Sequence, residues 1–317
     1  PVTYNVEIYN FQELRYELIA KGHVFKTRSD TDVIVHGWEE WGEECVERFN
    51  GMFAFGIWDR NRDCVFLARD RIGIKPLYYA DDGKTLHVAS QVKALLQSAN
   101  VSKELDPAGI VGFYLLGSVP EPYTTFRNIK SLPAGSSLYV TEKGISEPRE
   151  YFSIANRWSM ASNSKENQES KKSEIRVALV DSVKHHMVAD VQVGAFLSSG
   201  IDSGALTGLM SESNIDDHKL KTITLAFKEF KDTENDESPL AEEIAKHYGT
   251  EHTTRYVDEK EFHQDLPAIL GAMDQPSIDG LNTWFVSKAT KEQGLKVAIS
   301  GLGGDELFGG YPSFRDI

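Results

Sequence analysis

The fold of the second half of the chain is decided by the stretch Val193-Gly-Ala-Phe-Leu-Ser-Ser-Gly-Ile-Asp-Ser-Gly204. It starts as a short apolar strand, turns through small and hydroxyl residues, and leads into residues 205–210, which are typical of a helix. At such a turn, backbone N–H groups and the helix dipole favour an anion, and small side chains let a phosphate approach closely. The glycine is not followed by the Gly-Lys-Ser/Thr of a Walker loop. Spacing alone leaves two interpretations open, a phosphate cradle or an ordinary strand-to-helix turn.

A second glycine-rich turn follows an apolar strand predicted over residues 295–299 and reads Ser300-Gly-Leu-Gly-Gly-Asp-Glu-Leu-Phe-Gly-Gly-Tyr311. Ligands of open parallel sheets bind at the carboxyl ends of the strands, so we expect the two turns to lie together. Asp202 and Asp305 are then candidates to hold Mg²⁺ beside a bound phosphate, because Mg²⁺ takes oxygen ligands. The alternative role for both carboxylates is helix capping.

The two halves of the chain follow different patterns. Residues 1–152 read as short strands with hairpin turns, which predicts antiparallel sheet. Residues 174–317 alternate strand, turn and helix, which predicts a parallel α/β sheet. Between them, residues 153–173 include a long polar run, which is typical of an interdomain linker or a disordered loop.

Two helices are predicted near the start of the chain. Asn10 and Ser29 are the expected N-caps, and each is followed three residues later by an acidic residue at capping-box spacing. Gly22 and Gly42 are the expected ends of these helices.

Charge and composition exclude several classes of protein. The 317 residues contain 34 Lys and Arg against 48 Asp and Glu, a net charge of −14, which argues against binding of a nucleic-acid backbone. No apolar run approaches the roughly 18 residues of a membrane span, so we expect no membrane partner. The two cysteines, Cys45 and Cys64, form neither a disulfide framework nor a zinc motif, which favours a reducing, cytoplasmic location.

The two turns resemble the synthetase domain of the glutamine-dependent asparagine synthetases, an α/β adenine-nucleotide α-hydrolase-like parallel sheet with a pyrophosphate loop. The first half is similar to that family's class II glutamine amidotransferase domain, an α+β N-terminal-nucleophile hydrolase-like sandwich of antiparallel sheets. The similar runs in this half are residues 4–10, 29–32, 50–55 and 68–79. Because the two domains match in the family's order over nearly the whole chain, the resemblance is more specific than either turn alone.

The resemblance implies an activity in two steps. The first domain hydrolyses glutamine with an N-terminal cysteine, and ammonia passes through a tunnel to the second. There ATP converts aspartate to a β-aspartyl-adenylate, and ammonia attacks it to give asparagine, AMP and pyrophosphate. The implied partners are glutamine, aspartate or another carboxylate, and ATP, with Mg²⁺ as cofactor; a homodimer is one assembly that the resemblance allows.

Site residues carried over from the family fall into three groups. In the first domain, Asn5 and the backbone N–H of Val6 would form an oxyanion hole, and Asn5, Glu7 and Asp30 would bind glutamine. The alternative role for Asp30 is a helix cap beside Ser29. ATP would contact Leu197, Ser198, Ser199, Gly200, Ile201, Asp202, Ser203, Leu225, Ser300 and Gly301. Asp305 and Glu306 match a motif that shapes the synthetase site.

Departures from the family pattern leave alternatives open. Val6 and Ser199 replace usual glycines, Gly204 replaces a serine, and Leu302 stands where a glutamate handles the proton of ammonia. The nucleophilic cysteine is absent, so we expect a piece lacking both ends of the family's protein and inactive alone. A second hypothesis is a paralogue acting on another carboxylate, such as a cell-surface sugar acid. A third is a degenerate, non-catalytic nucleotide-binding protein.

Overall fold

A computed structural model describes residues 1–161, 168–213, 218–311 and 314 of the chain. The chain forms two compact units. The first unit comprises Pro1–Lys165 together with Met273–Ile278, and the second comprises Glu166–Ala272 and Asp279–Ile317. No helix in the described part of the chain is long and apolar enough to cross a membrane.

The first unit is built mainly of short strands. Its elements are β1 (Val2–Ile8), α1 (Phe11–Ala20), α2 (Asp30–Trp41), a 3₁₀ turn (Gly42–Glu44), α3 (Cys45–Arg48), β2 (Gly51–Asp59), β3 (Cys64–Arg69), β4 (Tyr78–Asp81), β5 (Leu86–Ala89), α4 (Val92–Leu95), α5 (Pro107–Leu116), β6 (Ile129–Ser131), β7 (Ser136–Thr141), β8 (Gly144–Ile145), β9 (Arg149–Glu150) and α6 (Ile154–Ala161).

The second unit alternates helices and strands. Its elements are α7 (Gln168–His186), β10 (Val193–Phe196), α8 (Ile201–Ser213), β11 (Lys221–Phe227), a 3₁₀ turn (Lys228–Phe230), α9 (Ser238–Tyr248), β12 (Glu251–Val257), α10 (Glu259–Ala272), α11 (Gly280–Glu292), β13 (Val297–Ile299) and α12 (Gly304–Phe308).

Two antiparallel sheets form the first unit, as the hairpin pattern predicts. One has the order β1-β2-β3-β7-β8, with β9 also paired to β7, and the other has the order β5-β4-β6. Alternate residues of β2 and β3 face opposite sides. Phe55 and Phe66 pack against α1, α2 and α3, whereas Ala54 and Leu67 pack toward β4 and β5. The far side of the smaller sheet packs on α4, so sheets and helices form successive layers.

A four-stranded parallel sheet, β12-β11-β10-β13, forms the centre of the second unit. Ala195 of β10 packs with α7 and α8, while Ile223 of β11 packs on the other face with α11. β10 and β13 are neighbours in this sheet, and Ala195 pairs with Ile299. The two glycine-rich turns therefore leave the same edge side by side, which confirms their expected proximity.

The predicted N-cap agrees with the structure in α2 but not in α1. Ser29 caps α2, because its side chain accepts the N–H of Thr31, and Gly42 ends the helix at φ 59°. The capping box predicted at Asn10 is wrong. Its side chain binds the backbone of Arg48 and Asn50 instead of the first turn of α1, because the chain returns to β2 beside it.

The segment expected as a linker contains helix on both sides of its centre. α6 ends at Ala161 and α7 begins at Gln168, while residues 162–167 lie outside the described residues. α7 thus extends seven residues before the apolar stripe that starts at Ile175. Glutamate and lysine, which occur in this extension, are good helix formers.

Candidate functional site

The edge of β1 presents the backbone N–H of Val6 outward. Val6 lies opposite Phe53 in the β1–β2 ladder, and β1 is the outermost strand of its sheet. The peptide groups of Phe53 already face the other way, because its N–H binds Asp70 Oδ2 at 3.2 Å and its carbonyl accepts the Asp70 N–H at 2.7 Å. In an antiparallel ladder this makes Val6 and Phe53 a non-hydrogen-bonded pair. The Val6 N–H therefore points away from β2, toward the open edge.

Asp30 lies at the same open edge. Its Oδ2 accepts the backbone N–H of Ile8 at 3.1 Å, and Ile8 is two residues beyond Val6, so the two N–H groups point the same way about 7 Å apart. Ser29, not Asp30, accepts the N–H at the start of α2. Asp30 thus lies on the same strand edge as the Val6 N–H, the candidate oxyanion donor, and Ser29 is the residue that caps α2.

Asn5 and Glu7 lie on the sheet face opposite Val6, because side chains alternate along a strand. Both are exposed, whereas Val6 is half-buried against the core under α1 and α2. Burial, and then the charges of Glu7 and Asp70, raise the pKa of Tyr9 to about 12.

Val6 carries no backbone strain, although a glycine is usual there in the family. Among the described residues, the non-glycine positions with positive φ are Asp63 and Asp232. Val6 instead has ordinary strand geometry within β1. A glycine is required nearby at Gly51, which has φ +150°, because a Cβ there would lie 2.0 Å from the carbonyl oxygen of Glu7.

Asp70 organises the loop behind this edge, and sequence reasoning assigned it no role. It is 1% exposed, and its carboxylate accepts four backbone N–H groups. The donors are Phe53, Ile72, Ile74 and Lys75, at 2.9–3.2 Å. An aspartate just before a Gly- and Pro-containing loop was the available signal, since aspartate commonly binds the backbone that follows it.

Both thiols of the chain are buried. Cys45 is fully enclosed in the core beneath α2, and burial raises its pKa to about 12. Cys64 is 4% exposed, and burial and then the charge of Asp59 raise its pKa. Since a thiolate is the reactive form of cysteine, neither side chain suits a nucleophile in this structure.

The turn after β10 is closed by its own hydroxyl groups. Ser203 Oγ accepts the N–H of Ser198 at 3.1 Å and lies 2.9 Å from Ser198 Oγ. Ser198 Oγ in turn accepts the N–H of Gly200 at 3.1 Å. Ile201 begins α8, so the first N–H groups of that helix have no intrahelical partner and point toward the turn.

The two glycine-rich turns pack against each other. A Cβ at Gly304 would lie 2.2 Å from Asp202 Oδ2, and a Cβ at Gly301 would lie 3.1 Å from the backbone nitrogen of Ser203. The sequence predicts that the two turns lie near each other but not that they are in contact. The structure shows that the turns can approach this closely because Gly301 and Gly304 have no side chains.

Leu197 and Leu225 lie at the strand ends beside the first turn. Thr224 Oγ1, buried on β11, donates to the carbonyl of Leu197 at 2.5 Å. Leu225 follows Thr224 and is therefore level with the first serine of the turn, since Phe196 pairs with Ile223 in this parallel register.

Glu306 holds the second turn closed. Its carboxylate accepts the N–H of Gly303 at 3.0 Å and the hydroxyl of Tyr311 at 2.8 Å. These contacts, the tyrosine hydroxyl first, lower its pKa. Leu302 is 84% exposed. Asp305 is half-buried, and Gly310 has no Cβ to clash with its Oδ1.

A further acidic residue, Glu237, lies against the first turn, and sequence reasoning did not identify it. Its Oε2 accepts the N–H of Ser199 at 3.4 Å, just before α9 begins. A carboxylate at this N–H shows that the turn can bind an anionic oxygen. The run before α9 gave no periodic signal that could single out one acid.

The chemistry of Asp202 and Asp305 fits Mg²⁺, which prefers carboxylate and phosphate oxygens. Within the described residues, neither carboxylate belongs to a cluster of three or more His, Cys, Asp or Glu ligand atoms that could form an all-protein ion site. An ion here would therefore depend on oxygens of a bound ligand, which is usual for Mg²⁺.

Two family models match the chain. The glutamine amidotransferase domain matches residues 1–152, and the asparagine synthase domain matches residues 174–317. Among solved structures, a Bacillus subtilis glutamine phosphoribosylpyrophosphate amidotransferase complexed with ADP and GMP aligns with 88% of this chain and 52% of its own. It does so at 16% identity and a TM-score of 0.34, a likeness too distant to support an inference.

Two relatives are similar to this chain over nearly its full length. Asparagine synthetase [glutamine-hydrolyzing] 1 of Bacillus subtilis is 36% identical over 99% of this chain and 48% of its own length. Asparagine synthetase B [glutamine-hydrolyzing] of Escherichia coli is 30% identical over 98% and 52%. The chain thus spans about half the length of these relatives. With both domain models matched in order, the chain belongs to the glutamine-dependent asparagine synthetase family.

Proposed function

We propose that this chain carries the glutamine site and the ATP site of an enzyme that forms asparagine from aspartate. The observation that carries the proposal is the packing of the two glycine-rich turns, Gly304 against Asp202, at the carboxyl ends of neighbouring parallel strands. On this proposal, residues 1–152 and 174–317 are the two catalytic domains, with N-terminal-nucleophile hydrolase-like and adenine-nucleotide α-hydrolase-like folds, and residues 153–173 link them.

In the first unit, the open edge of β1 would bind the glutamine side chain. The Val6 N–H and the Asn5 amide would donate to the oxyanion that forms when the side-chain amide is attacked. Such donors contribute about 3 kcal/mol each in acyl-transfer enzymes. Asp30 and Glu7, both acidic, suit the ammonium group of the glutamine backbone. The nucleophile is not supplied by Cys45 or Cys64, since both are buried.

In the second unit, the turn after β10 would bind the phosphates of ATP. The N–H groups at the start of α8 favour negative charge. The aspartate side-chain carboxylate attacks the α-phosphorus, pyrophosphate leaves, and the resulting β-aspartyl-adenylate reacts with ammonia to give asparagine and AMP. Mg²⁺ would neutralise phosphate charge beside Asp202 and Asp305. Glu237 would release the Ser199 N–H to a phosphate oxygen.

A paralogous enzyme that amidates another carboxylate is the second candidate, and Leu302 favours it. Its apolar side chain is 84% exposed where the family has a glutamate that handles the proton of ammonia. Without that acid, proton transfer from ammonia needs another base, and a different acceptor could supply one.

The test incubates the gene product, at the length that the gene encodes, with ATP, Mg²⁺, ammonia and either aspartate or other carboxylates. Mass spectrometry identifies the amidated product, and pyrophosphate release reports activation. Asparagine formed only with aspartate supports the proposal. Amidation of another carboxylate favours the paralogue, and absence of ATP–pyrophosphate exchange with every acceptor contradicts both in favour of a non-catalytic nucleotide-binding protein.

A further inference from the structure

Three metal-ligating side chains meet in the first unit, away from the β1 edge site. His23 lies in the connection after α1, and His36 and Glu39 lie one turn apart on α2. Residues at this spacing lie on the same side of a helix. Glu39 therefore lies beside His36 on α2, and His23, from the connection that precedes the helix, contacts His36. In the described part of the chain, these three are the residues whose His, Cys, Asp or Glu ligand atoms lie close enough together, within 4.8 Å of one another, to hold one ion.

The three candidate ligand atoms form a small triangle. His23 Nδ1 lies 3.3 Å from His36 Nδ1, His36 Nδ1 lies 2.8 Å from Glu39 Oε2, and His23 Nδ1 lies 3.6 Å from the same oxygen. A circle through these atoms has a radius of about 1.9 Å. Since Zn–N and Zn–O bonds are about 2.0–2.1 Å, an ion at bonding distance from all three would lie just outside their plane, as in one face of a tetrahedron.

The outer contacts orient one of the two rings. His23 Nε2 donates to Glu40 Oε2 at 3.0 Å, which leaves Nδ1 as the acceptor that faces the other ligands. Lys21 Nζ fixes Glu40 through the other carboxylate oxygen at 2.9 Å. A carboxylate that accepts the remote N–H of a histidine is the usual support of a zinc-bound ring.

The environment admits an ion from solvent. The side chains of His23 and His36 are 16% and 19% exposed, and that of Glu39 is 54% exposed. The ring of Phe25 packs edge-on against His36 with centroids 4.5 Å apart, which covers one side. The three side chains are thus shielded from solvent on the Phe25 side and open to solvent at Glu39, where a water could complete four-coordination.

We propose that His23, His36 and Glu39 bind one Zn²⁺, with a water as fourth ligand. The ion joins the connection after α1 to the middle of α2, and so shortens the free span of chain that leads to Ser29 and Asp30. Its role is structural, because the ligands lie on α2 and in the connection after α1 and not at the β1 edge.

The test titrates the 317-residue chain with ZnCl₂ by calorimetry and with Co²⁺ by visible absorption. We expect one Zn²⁺ per chain and the intense visible bands of tetrahedral Co²⁺. His36→Asn should weaken Zn²⁺ binding at least 30-fold and abolish those bands. His263→Asn is the matched control, since His263 also lies on a helix with a glutamate one turn away, and it should bind as the parent does.

A second variant keeps the test independent of folding. Glu39→Gln removes only the exposed ligand, so the fold should persist by circular dichroism while Zn²⁺ binding falls at least tenfold and the zinc-induced rise in melting temperature shrinks. Zn²⁺ binding that is unchanged in both His36→Asn and Glu39→Gln, or that is no tighter in the parent than in His36→Asn, would overturn the proposal.

Discussion

The two candidate sites are held together by different kinds of contact. At the β1 edge, Asp30 reaches Ile8 across 22 residues of sequence, and Asp70 reaches Phe53 across 17. In the turn after β10, Ser203 reaches Ser198 across five. The first site is a product of tertiary structure, whereas the turn of the second is largely a local motif. Substitutions in the first should therefore act mainly through stability of the unit, and substitutions in the second mainly through ligand binding.

The largest effect is expected from Gly51→Ala, which tests whether the β1 edge depends on close backbone packing. The new Cβ would lie 2.0 Å from the Glu7 carbonyl at a φ of +150°. Strain of this kind and overpacking each typically cost about 1–3 kcal/mol, so we expect about 3–5 kcal/mol less stability of the first unit by urea denaturation.

Gly83→Ala is the matched control for backbone strain alone. Gly83 has φ +84°, and a Cβ there would meet nothing within 4 Å. If Gly51→Ala were no more destabilising than Gly83→Ala, close packing of Gly51 against β1 would not be what holds this edge.

Alkaline pH should weaken the first unit through Tyr9. Its pKa is raised to about 12 in the folded chain, so between pH 10 and 12 the unfolded chain loses a proton that the folded chain keeps. Stability therefore falls as pH rises through this window. Because Tyr9 is partly exposed, this difference in pKa between the folded and the unfolded chain should change stability by about 2 kcal/mol, less than it would for a fully buried group. Tyr9→Phe should lose less stability than the parent between pH 9 and 12, and equal slopes would contradict the assignment.

Gly304→Ala tests the packing of the two turns. A Cβ 2.2 Å from Asp202 Oδ2 would push the second turn from the start of α8. We expect ATP binding to the 317-residue chain to weaken about tenfold, or about 1.4 kcal/mol, with little change in stability.

The matched control is Gly271→Ala in α10, where a Cβ would meet nothing within 4 Å. It should leave the calorimetric affinity for ATP unchanged. Equal affinities in both variants would mean that the packed turns do not form the nucleotide site.

The smallest effect concerns one hydroxyl of the first turn. Ser203→Ala removes the acceptor of the Ser198 N–H and should cost about 1 kcal/mol of stability in the second unit. Ser211→Ala, later on α8, should be neutral or stabilising, because its buried hydroxyl finds no partner among the described residues. Denaturant midpoints of the two variants give the comparison, and equal losses would contradict a specific role for Ser203.

What the sequence could predict follows the same division. β10, β11, β13, α8 and α9 have apolar runs or glycine turns that mark them locally. β12 was not predicted, because its centre is His252-Thr-Thr-Arg255, which lacks an alternation of apolar and polar residues. The segment is a strand because its backbone pairs with β11 along its whole length. The two glycine-rich turns of the second candidate site were visible in the sequence as motifs.

The first unit contains contacts that no local pattern could reveal. The carboxylate of Asp274 accepts the N–H groups of Val92 and Lys93 at 2.7 and 2.8 Å, from 182 and 181 residues away in sequence. The segment Met273–Ile278 thereby belongs to the first unit although the chain on both sides belongs to the second. Likewise, the four donors to Asp70 come from two separate segments of the chain, so only folding identifies the acid as their common acceptor.

The central claim is that the turns after β10 and β13 form one nucleotide site. Amide hydrogen exchange of the 317-residue chain, with and without ATP and Mg²⁺, tests it most directly. The account predicts that residues 198–203 and 300–304 become protected together, at the same ATP concentration, while the β1–β2 amides of the first unit keep their rates. Protection of one turn without the other, or of neither, would contradict it.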